Sequence, residues 1–408
     1  MRVRAPRRGR APLGVAAATV ALGLFLSSCA DQAPEEGSDQ RTPSPDLELG
    51  PFEDVPSAID DPAADTLPEP LIDVDRLISG GPPPDGIPAL VDPVYEDAAD
   101  VDWLESPEPV LAVSLNGDHR AFPVRIMVWH EIVNDTIGDV PAAVTYCPLC
   151  DSALAFDRRV GGADGGDEPE RVLDLGVSGL LYNSDLVMFD RQTHSLWPQI
   201  EGRAVAGTLT GTELERISVT VMDWERWHDA HPDGQVLSQD TGHDRNYGLT
   251  PYTGYDDPES DPFLFDEDTD ARMPAKTRVV GLGADDTAIA IPVQETAERD
   301  VVEVDVGGTP VTVWIEPGVA SALDSAQIAE GREVSATGAF RPEADGRNLT
   351  FEAVDDGFTD QQTGSTWNIL GEAVEGPLAG QRLPAVDHVD TFWFAWVAFS
   401  PDTEINTR

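Results

Sequence analysis

Residues Val110 to Ser152 of this chain align with Val279 to Ser321 at a constant offset of 169, without a gap. Pro123 meets Pro292, Gly138 meets Gly307, Pro141 meets Pro310, Pro148 meets Pro317, and Leu154 meets Leu323. Further on, Asp190, Gln192, Thr193, Ser195 and Trp197 meet Asp360, Gln362, Thr363, Ser365 and Trp367. The offset is again 169 where Gly207, Leu209, Trp224, Trp227 and Pro232 meet Gly376, Leu378, Trp393, Trp396 and Pro401. A repeat of this kind constrains architecture before any single residue does. It also separates roles. Residues shared by both copies are candidates for scaffold, and residues present in one copy are candidates for function.

Local patterns place β-structure in both copies. Val301 to Val306, then Gly307-Gly308, then Thr309 to Ile315 is a hairpin pattern, with β-branched runs on both sides of a two-residue glycine turn. Ile132 to Ile137, Gly138-Asp139 and Val140 to Tyr146 occupy the same places in the first copy. Pro123 and Pro292 suit the first turn of a short helix. Ala153 to Phe156, Leu180 to Phe189 and Ala204 to Ala206 read as further strand-like runs. Each copy carries a Trp-x-x-Trp segment near its end, and Asp223 suits a helix cap in the first. The expected class is mainly β (α+β), as two tandem repeated units with a few short helices.

The N-terminus reads as a targeting segment. Arg2, Arg4, Arg7, Arg8 and Arg10 form a basic region, Gly14 to Leu26 is apolar, and Leu26-Ser27-Ser28-Cys29 reads as a lipobox. The apolar run is too short to span a bilayer. The expectation is lipidation at Cys29, which anchors the protein to the outer face of the cytoplasmic membrane. From there to about Asp75 the chain is rich in Pro, Asp, Glu, Ser and Gly and reads as a tether. The expected divisions are 1–28 signal peptide, 29–75 tether, 76–236 first unit, 237–277 a Tyr-bearing connector, and 278–408 second unit.

The formal charge is −49, from 75 acidic and 26 basic residues. Such a surface argues against nucleic acid or anionic lipid as an electrostatic partner. It also robs isolated carboxylates of meaning as catalytic candidates. There is no phosphate-binding glycine loop, since Gly161-Gly162 and Gly165-Gly166 sit in an acidic stretch, so no nucleotide cofactor is expected. The membrane anchor is the one partner that the residues name.

Three segments carry a resemblance. Trp129 to Asp135, Thr145-Tyr146-Cys147-Pro148-Leu149-Cys150, and Phe189-Asp190 to Leu196-Trp197 are similar to the signature of the DUF3179 family, with Tyr247-Gly248 to Pro251-Tyr252 adding to it. The resemblance implies a secreted or membrane-anchored protein. It implies no activity.

The comparison of the copies then selects residues. Cys147 and Cys150 fall on Glu316 and Val319, His130 on Arg299, His194 on Gly364, His228 on Val397 and His231 on Ser400. A hairpin closed by Gly138-Asp139 pairs residues whose numbers sum to 277, and His130 and Cys147 satisfy that rule. Opposed residues of an antiparallel pair have Cβ atoms about 4.5–5.5 Å apart. Three readings are open. In the first, Cys147, Cys150 and His194 bind Zn²⁺ or a copper ion, with His130 as fourth ligand or as acid–base candidate. In the second, Cys-Pro-Leu-Cys exchanges disulfides, although Asp151 to Phe156 look like a turn into a strand rather than a helix. In the third, Cys147 and Cys150 form a structural disulfide in a non-enzymatic surface lipoprotein. Asp185 and Arg191 lie near His194 in sequence as candidate supporting groups. His119, His243 and His388 are expected at the surface or in loops, and Trp197, Trp224 and Trp227 in the core.

Overall fold

The glycine turns organise the strands around them. Gly138 and Asp139 have φ of 53° and 67°, and Gly307 and Gly308 have 59° and 86°. Positive φ at both central residues twists the chain into a tight hairpin whose strands follow the natural sheet twist. The paired strands Ile132–Ile137 and Val140–Cys147 accordingly close on Ile137↔Val140, and Asp300–Val306 and Thr309–Ala320 close on Val306↔Thr309. A Cβ at Gly138 would run into the Leu115 carbonyl, so the turn also needs glycine for space.

The computed structural model describes residues 59, 66–161, 170–284, 287–293 and 299–406. The expected signal peptide, Cys29, most of the tether, the 162–169 stretch and the place of a helix after Pro292 lie outside the described residues. Within them the protein is mainly β, with three short α-helices: α1 (Val124–His130), α2 (Trp224–Ala230) and α3 (Trp393–Phe399).

Three sheets hold the first half. One runs in the order Thr220–Asp223, Pro109–Leu115, Asp118–Pro123, Gln235–Leu237 and Tyr95–Asp97. A second runs Arg216–Ile217, Ser152–Asp157, Val140–Cys147, Ile132–Ile137 and Leu90–Val91. The third runs Ile78–Ser79, Leu175–Tyr182, Asp185–Asp190 and Leu196–Pro198. Strand pairs of the second half match these in register. Val110 pairs with Pro123 and Val279 with Pro292; Met222 pairs with Val110 and Thr391 with Val279. The parallel pair Gln235↔Arg120 has Glu404↔Ile289 as its counterpart. The run expected from Leu180 to Phe189 is a hairpin, turning at Asn183 and Ser184. Ala204 to Ala206 forms no strand and makes a single bridge from Ala206 to Leu196.

The two halves share their cores. Cys147, Leu154, Trp197, Val279, Phe392 and Trp396 belong to one apolar cluster, and Trp224, Trp227, Trp314, Phe358 and Trp367 to another. The 237–277 segment has almost no regular structure but is fastened down. Thr250 N–H donates to the Ala326 carbonyl (3.1 Å), Ile328 N–H to Gly248 (3.0 Å), and Gly254 N–H to Asp324 (2.8 Å). The folded body also starts earlier than residue 76. Ile72 and Val74 pack on the Val187 cluster, and Leu71 N–H donates to the Val205 carbonyl (2.8 Å).

Helix starts follow their local chemistry. Pro123 stands one place before α1, as its N-cap, with φ −60° and ψ 129°. Asp223 caps α2 by accepting the Arg226 N–H at 3.0 Å. The Asp-x-x-Thr turns of the two halves match in their bonding. Asp190 accepts from Thr193 N–H (2.6 Å), Thr193 Oγ1–H (2.9 Å) and the Trp197 indole N–H (3.0 Å). Asp360 accepts from Thr363 N–H (2.6 Å), Thr363 Oγ1–H (2.8 Å) and Trp367 (3.1 Å). Trp197 and Trp367 are both fully buried. Replacing either by Phe keeps most of the apolar contact and removes one donor from a carboxylate. Trp197→Phe and Trp367→Phe are each expected to cost about 1–3 kcal/mol, read from the shift of a urea unfolding midpoint. A loss confined to one of them would break the equivalence.

Candidate metal centre

Cys147 ends its strand, pairing there with Ser152, and the chain turns back through Pro148 to Asp151. Cys150 N–H donates to the Cys147 carbonyl (3.2 Å), and Asp151 takes φ 50°. This turn presents both thiols to one side. There they meet the Asn183-Ser184 turn of the neighbouring hairpin. Ligand atoms of Cys147, Cys150 and Asp185 all lie within 4.8 Å of one another, and all three residues are buried. The Ser184 carbonyl is 3.6 Å from Cys150 Sγ and 4.0 Å from Cys147 Sγ, and Asp185 Oδ1 is 3.7 Å from Cys150 Sγ. Both cysteines are unbridged.

The turn is gripped from three directions. Phe392 N–H (2.9 Å) and the Thr391 hydroxyl (2.8 Å) both donate to the Cys150 carbonyl. The Tyr255 hydroxyl donates to the Leu149 carbonyl (3.0 Å). Asp151 pairs with Arg278 (3.2 Å) and accepts from the Tyr146 hydroxyl (3.0 Å). Asp185 in turn accepts the Ile200 N–H at 3.1 Å.

Burial dominates the electrostatics. It pushes Asp185 up to about 8, against the pull of the Ile200 and Gln199 amides and Cys150. Burial also raises the Cys150 thiol, and the adjacent Cys147 and Asp185 add to the rise. Without a cation these groups keep their protons, because ionised sulfur and carboxylate would stand uncompensated in an apolar surround. Two thiols and a carboxyl are donors that suit Zn²⁺.

The expected histidines stand elsewhere. The hairpin rule holds as far as Ile132↔Thr145, and Tyr146 N–H still reaches the Glu131 carbonyl (2.8 Å). The ladder then stops, because His130 is the last residue of α1 and Glu131 leaves the helix with φ 60°. His130 therefore has no ladder pairing with Cys147, whose partner Ser152 lies on the other edge of the strand. Its Nδ1–H donates to the Pro88 carbonyl (2.7 Å), and its Nε2 accepts from the Tyr247 hydroxyl (2.6 Å). Burial holds this ring neutral, down to about 4, with the His243 and Arg245 charges acting in the same direction. His194 is also outside the cluster. It lies against the Phe189 ring at 6.0 Å and takes φ 55° in the Asp190 turn. Gly364 takes φ 73° at the equivalent place, so this position is first a left-handed turn.

Arg191 pairs with Asp85, away from the thiols. His119 and His231 stack at 4.0 Å, and His388 is buried in the strand His388–Phe392 rather than at the surface. His243 is exposed beside His130, with ring centres 5.3 Å apart. Trp197, Trp224 and Trp227 are buried.

Two carboxyls gain importance: Asp185, expected only as a supporting group near His194, and Glu131, which the sequence did not single out. Asp185 enters the thiol cluster, and Glu131 lies buried at the break between α1 and the next strand. Burial alone pushes Glu131 up to about 8. The one signal available was position: Glu131 adjoins His130, and Asp185 sits inside an apolar run.

The DUF3179 profile, described as a protein of unknown function, matches residues 84–403. The chain belongs to the DUF3179 family. The match takes in the thiol cluster, both halves and the connector. Comparison with curated proteins and with solved structures gave no match.

The raised carboxyl at Glu131 has a pH consequence. The native state holds its proton up to about 8, whereas the unfolded chain releases it near 4.5. The native state thus binds more protons in that window, and this residue's contribution to stability falls as pH rises through it. Glu131→Gln cannot ionise. Its stability relative to the parent is expected to increase steadily from pH 4.5 to 8, measured by urea unfolding across that range. A constant difference would show that Glu131 is ionised in the folded protein.

Proposed function

We propose that this DUF3179 protein is an extracytoplasmic lipoprotein that binds a metal ion at Cys147, Cys150 and Asp185, with Zn²⁺ favoured over copper. The observation that carries the reading is the convergence of those three ligand atoms within 4.8 Å, from a turn and a hairpin 35 residues apart. A carboxylate oxygen beside two sulfurs is a mixed donor set, which suits Zn²⁺ better than the softer Cu(I). His130 and His194 stand outside the ligand set in this reading. The two halves are read as copies of one unit, the second of which has Glu316 and Val319 in place of the cysteines. The matched strand pairs and the matched Asp190 and Asp360 turns support that history.

Thiol–disulfide exchange is the second reading, favoured by one contact: the Cys150 thiol donates to Asp185 Oδ1 at 3.7 Å. Against it stands burial, with Cys147 at 1% and Cys150 at 0% exposure, since exchange needs an incoming thiolate to reach a sulfur.

The basic N-terminal region and the Leu26 to Cys29 segment support lipidation at Cys29, with the folded body held on the outer face of the cytoplasmic membrane. Cys29→Ala is expected to move the protein out of the membrane fraction, as read by fractionation of cells expressing both forms. Persistence in the membrane fraction would overturn the anchor.

Elemental analysis of protein purified without chelator is expected to find about one zinc per chain. Cys147→Ser/Cys150→Ser should lose it. Asp185→Asn should weaken binding by about 10-fold or more, measured by competition with a chromophoric chelator. Zinc affinity is expected to rise with pH, more steeply below about 8 than above it, because binding must displace the Asp185 proton as well as that of Cys150, which burial holds to still higher pH. Metal-free protein whose thiols resist alkylation until reduced would favour a disulfide and overturn the metal reading.

A further inference from the structure

A second concave site borders α1. It is a cleft of about 440 Å³ between the end of α1, the Gly86-Ile87 loop and the connector. That volume is within the range of small-molecule sites, roughly 300–1,000 Å³. One wall is apolar and aromatic, from Ile87, Val128, Trp129 and Tyr252, and the rim carries Asp244, Arg245 and Asn246.

Hydrogen bonds fasten both ends of the connector wall. At one end, the Thr241 and Tyr247 hydroxyls bond to each other (2.5 Å). Tyr247 then bonds to His130, and His130 to the Pro88 carbonyl. At the other end, the Trp129 indole N–H donates to the Leu249 carbonyl (3.0 Å), and Thr250 N–H reaches Ala326. The cleft is thus built from tied segments and does not have to be ordered by its occupant.

The rim cation is the second observation. The chain has 75 acidic residues for 26 basic ones, and its arginines commonly meet a carboxylate: Arg120 meets Asp118, Arg125 meets Glu108, Arg191 meets Asp85, and Arg226 meets Asp223. Arg245 has no ion pair among the described residues. Its side chain makes one hydrogen bond there, to the carbonyl of its own neighbour Asp244 (3.2 Å). An exposed guanidinium left without a carboxylate in so acidic a protein, at the mouth of an aromatic cleft, is placed to receive an anion from outside.

We propose that this cleft binds a small organic carboxylate with an apolar or aromatic body, its carboxylate on Arg245 and its body against Trp129 and Tyr252. Asn246 offers an amide beside the carboxylate, and Asp244 is the one acidic group on the rim that opposes it. The test is separate from that of the metal reading, since none of the lining residues is proposed as a ligand there, although Tyr252 also lies near Cys147.

The test is calorimetric titration of the full-length protein with 3-phenylpropionate, beside its uncharged amide. Saturable binding of the acid is expected, with binding of the amide weaker by about 10-fold or more. Arg245→Gln should weaken the acid by a similar factor and leave the amide unchanged. Asp244→Asn should tighten the acid. Arg245 is exposed, so Arg245→Gln is expected to keep the parent's far-ultraviolet circular dichroism and unfolding midpoint, which are checked first. Absence of saturation, equal binding of acid and amide, or binding of the acid unchanged in Arg245→Gln overturns the proposal.

Discussion

The carbonyl of Cys150 receives two hydrogen bonds, from Phe392 N–H and the Thr391 hydroxyl. A buried carbonyl left without donors would carry a desolvation cost, so this contact binds the thiol turn to the far half of the chain. The rest of the site depends on it. With Cys150 held, Cys147 ends its strand at a defined point, Leu149 presents its carbonyl to Tyr255, and Asp151 reaches Arg278. The second half contributes no ligand to the cluster, yet it supplies the strand on which the cluster rests.

That dependence bears on the proposed duplication. At the place of Cys147 the second half has Glu316, which pairs with Arg226 of α2 and with Arg299. The strand there runs on through Glu316 to Ala320 and pairs with Glu333–Phe340, whereas in the first half it ends at Cys147 and turns back at once, so the ion pair and the thiol cluster stand on different local geometry. The turns built on Asp190 and Asp360 keep their bonding because a buried indole and a carboxylate satisfy each other in both. Position 194 is His and its counterpart Gly364, yet both take positive φ, so the backbone demand survives while the side chain changes.

How much of this could be read in the sequence differs by range. The hairpin register was legible because a two-residue glycine turn settles strand pairing locally. The pairing of His130 with Cys147 failed one step further on, because Glu131 leaves a helix there in a left-handed conformation that no pattern of apolar residues announces. Cys147 and Cys150 stood out by their absence from the second half. Asp185 was legible only as a neighbour of His194 in sequence, since one acid among 75 carries no signal as a ligand until burial is known. His388 illustrates the opposite error. Lacking a motif, it reads as a surface residue, but it lies in a buried strand that pairs with Arg278–Ala284. The connector's ties are to residues 323–328, which no local pattern reveals.

The bond from Thr391 to Cys150 spans 241 residues of sequence. A chain is made from its N-terminus, so the cysteines emerge long before the strand that closes over them. Contacts of such separation form late, after loop-closure entropy has been overcome. For most of its biogenesis the protein therefore carries an open pair of reactive thiols, and it seals them only when its C-terminal strand arrives.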